Sequence, residues 1–399
     1  MSKKLFNIIS VVIVVCITFA SEVNAQFIDN FDKPMKYDTT GMNGWRFEPG
    51  DGTATMQFKQ HDGYASIYVD ATSDKLGIWW AYIMHCISEN FDMALLDKPG
   101  YAIRVEARIR TSHAPRRVNL SLNTETTTDY DSDLMEFDIP DTTNWHTISM
   151  TLAGLKVLKG NHVYGQLALM DWGLEKYRVD LDYFKADIVN IDSAGADVGN
   201  PIPYRPPIKP VDTFKHHIPV VQDAMIDLKY PDENFNKWHV NESSGKVNLI
   251  TVNSTQYAIM RWDLSAFANK KVNGSGILEL TTYSAERAED HRKDFGMVRV
   301  TEILGGDPVW DQNTVTLNSL CKDEPLTKVI NTQMIIDVDA ADGKGSKNLI
   351  TISEPVLQRL IDGKTKGIVL RPLGPINASY YSMENGNEAL TAKLHFNIK

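Results

Sequence analysis

Two short stretches place arginine, asparagine and glutamate at every second position. In Tyr101–Arg110, Arg104, Glu106, Arg108 and Arg110 alternate with Ile103, Val105, Ala107 and Ile109. In Arg117–Asn123, Arg117, Asn119, Ser121 and Asn123 alternate with Val118, Leu120 and Leu122. Side chains two apart share one face of a β-strand, so each stretch reads as a strand with an apolar and a polar face. The connection through His113-Ala114-Pro115 is short, and the two strands are expected to pair and join their polar faces into one patch. Arginine and asparagine fork hydrogen bonds to carboxylates, sulfates and sugar hydroxyls. The aromatic run Trp79-Trp80-Ala81-Tyr82 leads to His85, and Tyr164 and Gln166 alternate with Val163, Leu167 and Leu169. Aromatics exposed beside such a patch would stack on the apolar faces of pyranose rings. A solvated sheet face produces the same alternation, and core packing is the default for Trp45, Trp79, Trp80, Trp145 and Trp172.

These segments sit in a chain that reads as β throughout. Period-two alternation dominates, with turns rich in Gly, Asn and Asp. The expected strands include Tyr64–Asp70, Ile78–Ile87, Tyr177–Ala186, Gln256–Leu264, Gly276–Tyr283, Met297–Ile303 and Gln333–Val338. One helix is expected, Glu354–Asp362, with Val356, Leu357, Leu360 and Ile361 on one stripe. The pattern predicts an all-β chain of two antiparallel, jelly-roll-like β-sandwiches. Residues 195–211 form the boundary, and five of the 17 prolines fall there, marking an extended connector. The sandwiches should then span 26–194 and 212–399.

Residues 1–25 have the features of a cleaved signal peptide. Lys3 and Lys4 precede the apolar run Ile8–Ala20, and Val23-Asn24-Ala25 supplies small residues before Gln26. The expected location is secreted or periplasmic. A lipoprotein anchor at Cys16 is disfavoured because the apolar run continues past it, and no segment is long enough for a transmembrane span. The formal charge of −10 argues against a nucleic-acid partner, whose binding rests on phosphate neutralisation. No CxxC, HExxH or EF-hand loop is present. No cofactor is required and no metal ligands stand out, although isolated carboxylates leave room for a structural Ca²⁺.

The second half carries an ordered series of weak motifs. Arg261-Trp262-Asp263-Leu264-Ser265 is followed by Ile277–Leu280, then Val298–Thr316, and finally Tyr380–Phe396. This series resembles the DNRLR-type β-sandwich, carbohydrate-binding module family 96, across nearly all of residues 212–399. The first half is similar, more loosely, to jelly-roll carbohydrate-binding domains through Trp145 before His146–Leu152 and the late strand Arg178–Tyr183. Size and layout are also similar to the oligosaccharide dehydratases of ulvan breakdown. The resemblance implies a carbohydrate-active protein whose partner is an anionic, uronate-containing oligo- or polysaccharide.

Two functions of different class then compete. The first is elimination across C4–C5 of a uronic acid, by a dehydratase or a lyase. It needs a group to neutralise the carboxylate beside the weakly acidic C5 proton, and a base and an acid for the proton transfers. Arg108, Arg110, Arg117, Asn119 and Asn123 are the candidate neutralisers. His85, His113, His146, Tyr82, Tyr130 and Tyr164 are the candidate acids and bases, with His85 and Tyr164 first. The expected catalytic set is His85, Tyr164, Arg108, Arg117 and Asn119; Trp79, Trp80, Tyr82, Arg104, Arg110, Asn123 and Gln166 would bind substrate. The second function is non-catalytic glycan binding by two modules on a stiff linker, with affinity gained through avidity. A glycosidase, which needs two carboxylates about 5–10 Å apart, is a weaker third reading. Glu106 is expected to orient Arg108 or Arg104, and the charged loop Glu286, Glu289, Asp290 and His291 to be solvated.

Overall fold

A computed structural model describes residues 26–50, 52–75, 77–125, 133–155, 157, 160–203, 206–287 and 296–399. The signal-peptide segment with Cys16, the candidate Tyr130, and Glu289, Asp290 and His291 lie outside the described residues. The chain is all-β, and among the described residues every pair of the named strands is antiparallel.

The first half supplies β1 (Gln26–Asp29), β2 (Arg46–Pro49), β3 (Thr55–His61), β4 (Tyr64–Asp70), β5 (Trp80–Cys86) and β6 (Tyr101–Thr111). It continues with β7 (Arg116–Thr124), β8 (Leu134–Ile139), β9 (His146–Ala153), β10 (Val163–Met170), β11 (Lys176–Asn190) and β12 (Pro201–Ile202). One sheet runs β3-β4-β11-β6-β9, with β1 also on β11; the other runs β12-β8-β7-β10-β5-β2. Their facing sides bury Trp45, Trp79, Trp172, Ile67, Phe184 and the inward residues of β6 and β7 in one core.

The expected pairing of β6 with β7 does not occur. They lie in opposite sheets, and the His113–Pro115 connection arches from one sheet to the other. β6 pairs with β9 and β11, and β7 with β8 and β10. Alternation specifies which face of each strand is buried, and both strands obey it; it does not specify the neighbour. Ile103, Val105, Ala107 and Ile109 therefore meet Val118, Leu120 and Leu122 across the core. Their polar faces point away from each other, so the single patch is split in two.

The proline-rich connector is partly docked on the first sandwich. β12 pairs with β8, Ile202 is buried, and the Val198 N–H donates to Ser149 Oγ at 2.9 Å. At Gly199 (φ +105°) an added Cβ would come within 3.0 Å of Ile148 and Phe137. Only glycine suits that conformation at so close an approach.

The second sandwich packs a five-stranded sheet on a larger one. The smaller sheet is ordered Gln222–Asp227, Gln256–Arg261, Gly367–Leu373, Met297–Ile303, Ile336–Val338. The long strand Gly276–Arg287 is central to the larger sheet, pairing with Lys347–Ile352, Ile376–Tyr381 and Lys393–Phe396. The helix Glu354–Ile361 buries Val356, Leu357, Leu360 and Ile361, as its stripe predicts. Among the described residues no helix is long and apolar enough to cross a membrane. Cys86 and Cys321 are buried free thiols.

The expected strand Gln333–Val338 shortens to Ile336–Val338, because its first residues bind the other sandwich. Arg116 donates to Asn331 Oδ1 at 2.6 Å and Thr332 Oγ1 at 2.9 Å. Gln333 accepts from the Arg117 N–H at 2.7 Å and donates to the Met170 carbonyl at 3.0 Å. Arg117 also donates to the Met334 carbonyl at 2.8 Å. Arg359 donates to both carboxylate oxygens of Asp138, at 2.9 and 2.7 Å, and to both of Glu302, at 2.9 and 3.0 Å. The two sandwiches are fastened through a polar interface, unlike independent modules on a spacer.

Replacing Arg359 by alanine would leave Asp138 and Glu302 buried without their counter-charge. The expected cost is about 3–5 kcal/mol of unfolding free energy in urea denaturation. Arg108→Ala, which breaks a half-exposed pair with Asp182, should cost about 1 kcal/mol or less.

Candidate functional site

The strand register aligns polar and aromatic side chains on the outward face of the β12-β8-β7-β10-β5-β2 sheet. One row runs Glu48, Tyr82, Ala168, Asn119, Glu136. The next runs Arg46, Met84, Gln166, Ser121, Leu134. A third contains Cys86, Tyr164 and Asn123, and Trp80 lies opposite Met170. Seven of the expected residues are thus brought to one face: Arg117, Asn119, Asn123, Tyr164, Gln166, Trp80 and Tyr82.

The centre of this face is withdrawn from solvent. Asn119 and Ser121 are 1% exposed and Gln166 is 2% exposed. Asn123 Nδ2 donates to Gln166 Oε1 at 2.9 Å, and Asn119 Nδ2 to Met170 Sδ at 2.8 Å. Gln166 Nε2 and Ser121 Oγ, directly opposite across the β7–β10 pair, have no hydrogen-bond partner among the described residues. Leaving a buried donor unpaired costs about 1–3 kcal/mol. Two such groups side by side are hydrogen-bonding capacity that the described residues leave unused.

Two aromatic rings lie beside them, Trp80 partly exposed and Tyr82 buried. The Trp80 and Tyr82 rings stack at 5.2 Å with an interplanar angle of 21°. Glu48 accepts from the Tyr82 hydroxyl and from Arg46, while the Arg46 guanidinium sits 5.8 Å from the Tyr82 ring centre. Trp80 lies on the backbone of Gly50, where a Cβ would fall 1.7 Å from the indole. Glycine is therefore required at the end of β2.

The charges on the face are compensated locally. Arg117 Nη1 donates to Glu136 Oε2 at 2.8 Å. Burial pushes the Glu136 carboxyl above its ordinary value, and the Arg117 charge opposes that rise. The Tyr164 hydroxyl donates to Met42 Sδ at 3.0 Å. Burial, then the charge of Glu125, raises its pKa.

The remaining expected site residues lie elsewhere. Tyr164 is opposite Cys86, so His85, one position along, points to the other side of β5. Its ring packs 4.7 Å from Phe27 and 5.3 Å from Trp45, and burial lowers its pKa. His85 and Tyr164 do not meet. Trp79 also points inward and donates to the Gly173 carbonyl at 2.8 Å. Arg104, Arg108 and Arg110 belong to the opposite sheet. Arg108 pairs with Asp182 at 2.8 Å and Arg110 with Asp180 at 2.9 Å, both beside the Trp145 ring. Arg104 donates to the Ala194 carbonyl at 2.8 Å. Glu106 accepts from the Tyr183 hydroxyl at 2.8 Å rather than orienting an arginine. His113 lies beside Glu175, and His146 beside Asp141.

Ser121 belonged to the expected polar stripe but not to the expected site. Arg46 and Glu48 were missed altogether, and the short alternation Arg46-Phe47-Glu48 was their one signal.

No family model matches this chain, and no curated protein matches it. Among solved structures it is similar to a family 4 carbohydrate-binding module at 14% identity and a TM-score of 0.30, covering 40% of this chain and 97% of that one. It is also similar to the family 11 module from Clostridium thermocellum in complex with a β-1,3-1,4-mixed-linked tetrasaccharide. There the identity is 11% and the TM-score 0.26, over 41% of this chain and 96% of that one. The Endo-D glycoside hydrolase domain from Streptococcus pneumoniae R6 covers 83% of this chain and 44% of its own, at 10% identity and a TM-score of 0.27. These likenesses are of fold alone.

The placement of His85 has a measurable consequence. Its folded pKa lies below the ordinary 6.5, so the unfolded chain takes up the proton first as the pH falls. Its contribution to stability is complete above about pH 6.5 and is lost as the pH drops through that value towards the folded pKa. Burial shifts His113 and His395 in the same direction. Stability should decline from pH 7 to pH 5, and His85→Phe should flatten part of that decline. Ligand binding by that variant at pH 8 should be unchanged; its loss would place His85 in the site after all.

Proposed function

We propose that this chain binds saccharides on the outward face of β7, β10 and β5. The observation that carries this reading is the pair of buried, unpartnered donors, Gln166 Nε2 and Ser121 Oγ, on a face that also holds Asn119, Asn123 and the stacked Trp80–Tyr82 pair. Sugar hydroxyls both donate and accept, so they suit a row of amides and a hydroxyl. An aromatic ring suits the C–H face of a pyranose. Asn123 fixes the Gln166 amide by occupying its oxygen, which leaves the Nε2 hydrogens for a ligand acceptor. The leader-like residues 1–25 go with an exported protein.

Binding without catalysis accounts for this face better than elimination across C4–C5. Elimination needs a positive charge free to meet the uronate carboxylate, with a base beside it. Both arginines on the face, Arg46 and Arg117, are already paired with carboxylates. Among the described residues no histidine belongs to its three rows. Tyr164 is the single group there from the expected catalytic acid/base pair, and its hydroxyl is engaged with Met42. The reading therefore favours a stretch of glycan recognised through its hydroxyls over one recognised through its carboxylates.

Affinity electrophoresis and calorimetry against mixed-linkage glucan, xylan, galactan, alginate and ulvan would test it, with absorbance at 235 nm followed in parallel. The expected result is retardation by at least one hydroxyl-rich glycan and a flat absorbance trace. Gln166→Ala and Ser121→Ala should each weaken that binding about tenfold, the equivalent of one buried hydrogen bond of about 1.4 kcal/mol. Arg108→Ala should bind as the parent does. Rising absorbance with uronate substrates would instead establish elimination, and binding that survives both substitutions would move the site elsewhere.

A further inference from the structure

The second sandwich contains a group of buried oxygen atoms that its own hydrogen bonds do not satisfy. Asp223 is fully buried in the strand Gln222–Asp227. It points the same way as Met225, into the space between the two sheets, where Met225 Sδ meets the Thr251 N–H at 2.9 Å. The turn Ser382–Asn385 follows the strand Ile376–Tyr381 of the other sheet and wraps this carboxyl. The Met383 N–H donates to Asp223 Oδ2 at 2.9 Å, and Glu384 is the next residue along the chain. Gln312 ties the segments together. Its Nε2 donates to Glu384 Oε1 at 2.7 Å, and its Oε1 accepts from the Asp223 N–H at 3.3 Å. Its carbonyl accepts from Asn234 Nδ2 at 2.9 Å.

Each carboxylate spends one oxygen on these bonds. The other two, Asp223 Oδ1 and Glu384 Oε2, are buried with no partner among the described residues. Two further oxygens share that condition. Asn236 is 5% exposed, and its Nδ2 is fixed on Asn313, the neighbour of Gln312, at 3.1 Å; its Oδ1 is unpartnered. Ser382 is 1% exposed, adjoins the Met383 N–H that binds Asp223, and has an unpartnered Oγ. Two neighbouring carboxylates repel each other when both are ionised, and the hydrogen-bond partners of the pair among the described residues, Met383 and Gln312, are neutral.

We infer that Asp223 and Glu384, supported by the side-chain oxygens of Asn236 and Ser382, bind a hard divalent cation, with Ca²⁺ as the best fit. An all-oxygen donor set with two carboxylates and a neutral amide suits Ca²⁺, which accepts irregular geometry and completes its shell with water or carbonyls. Among the described residues no three His, Cys, Asp or Glu side chains are placed to hold one metal ion together, so the neutral oxygens are essential to the site. The cation ties the edge strand of one sheet to a turn of the other, far along the chain from the saccharide-binding face. The proposal does not rest on the saccharide reading.

The full-length mature chain, stripped with EDTA and then desalted, would be loaded with CaCl₂ and passed through gel filtration. Metal content would be measured by mass spectrometry and Tm by calorimetry. One Ca²⁺ per chain is expected, with a Tm that falls in EDTA and returns with CaCl₂. Glu384→Gln keeps the shape and should weaken Ca²⁺ at least about tenfold; Asp223→Asn should abolish stoichiometric binding. No retained Ca²⁺, together with a Tm indifferent to EDTA and CaCl₂, would overturn the inference and leave the two carboxyls sharing a proton. One Ca²⁺ retained equally by both variants would also overturn it, by placing the ion elsewhere.

Discussion

The Arg359 guanidinium, held between Asp138 of the first sandwich and Glu302 of the second, is the interaction on which the arrangement of the two halves depends. A charge leaves water only where its partners replace the lost solvation. Here the replacement is complete in direction: Nε and Nη2 face Glu302, Nη1 faces Asp138, and Thr365 Oγ1 adds a bond to Glu302 at 2.6 Å. Neither sandwich alone provides that environment. Arg299 repeats the theme, bonding Asp337 in its own sandwich at 2.7 Å and reaching Asp171 in the other at 3.4 Å. An interface of this kind specifies orientation, because sliding by one residue would strand several buried charges at once.

That orientation also defines one end of the candidate site. Arg117 begins the polar stripe of β7 and is tied both to Glu136 on its own face and to the Met334 carbonyl of the second sandwich. A groove of about 510 Å³ opens where the halves meet, lined in part by Arg117, Glu136, Met170, Ile202 and Met334. The stripe of amides and hydroxyls therefore runs from this junction towards Tyr164 and Asn123. The second sandwich supports the first and closes the edge of its face. The docked connector contributes too, since β12 extends the same sheet beyond β8.

The two outward faces of the first sandwich differ in how their charges are used. On the β3-β4-β11-β6-β9 sheet, arginines and carboxylates neutralise each other across strands at Arg108–Asp182 and Arg110–Asp180, and along β11 at Arg178–Asp180. The half-exposed Arg108–Asp182 pair contributes little by itself, whereas Asp180 is buried between Arg110 and Arg178. On the opposite sheet, one amide, Gln166, and one hydroxyl, Ser121, are buried without a partner among the described residues. The two outward faces thus differ in whether their polar groups are satisfied by the fold itself.

Much of this was legible in the sequence. Alternation along Tyr101–Thr111 and Arg116–Thr124 determined which side chains enter the core, because the strand period is a local property of the backbone. It also identified the stripe Arg117, Asn119, Ser121, Asn123 and its neighbours Tyr164 and Gln166. The helix stripe at Glu354–Ile361 was local in the same sense. Strand neighbours were not legible, because a strand with a fully apolar face can bury it by pairing within one sheet or by stacking across two. That choice sent Arg104, Arg108 and Arg110 to the far side of the sandwich from Asn119. The phase of β5 was equally hidden, since Trp79, Trp80, Tyr82 and His85 do not alternate apolar with polar. Only the packing of Trp79 and His85 against the core resolved which of them face outward. The contact of Arg359 with Asp138 joins residues 221 positions apart, and burial of charge at such separation becomes visible only when both partners are placed in three dimensions.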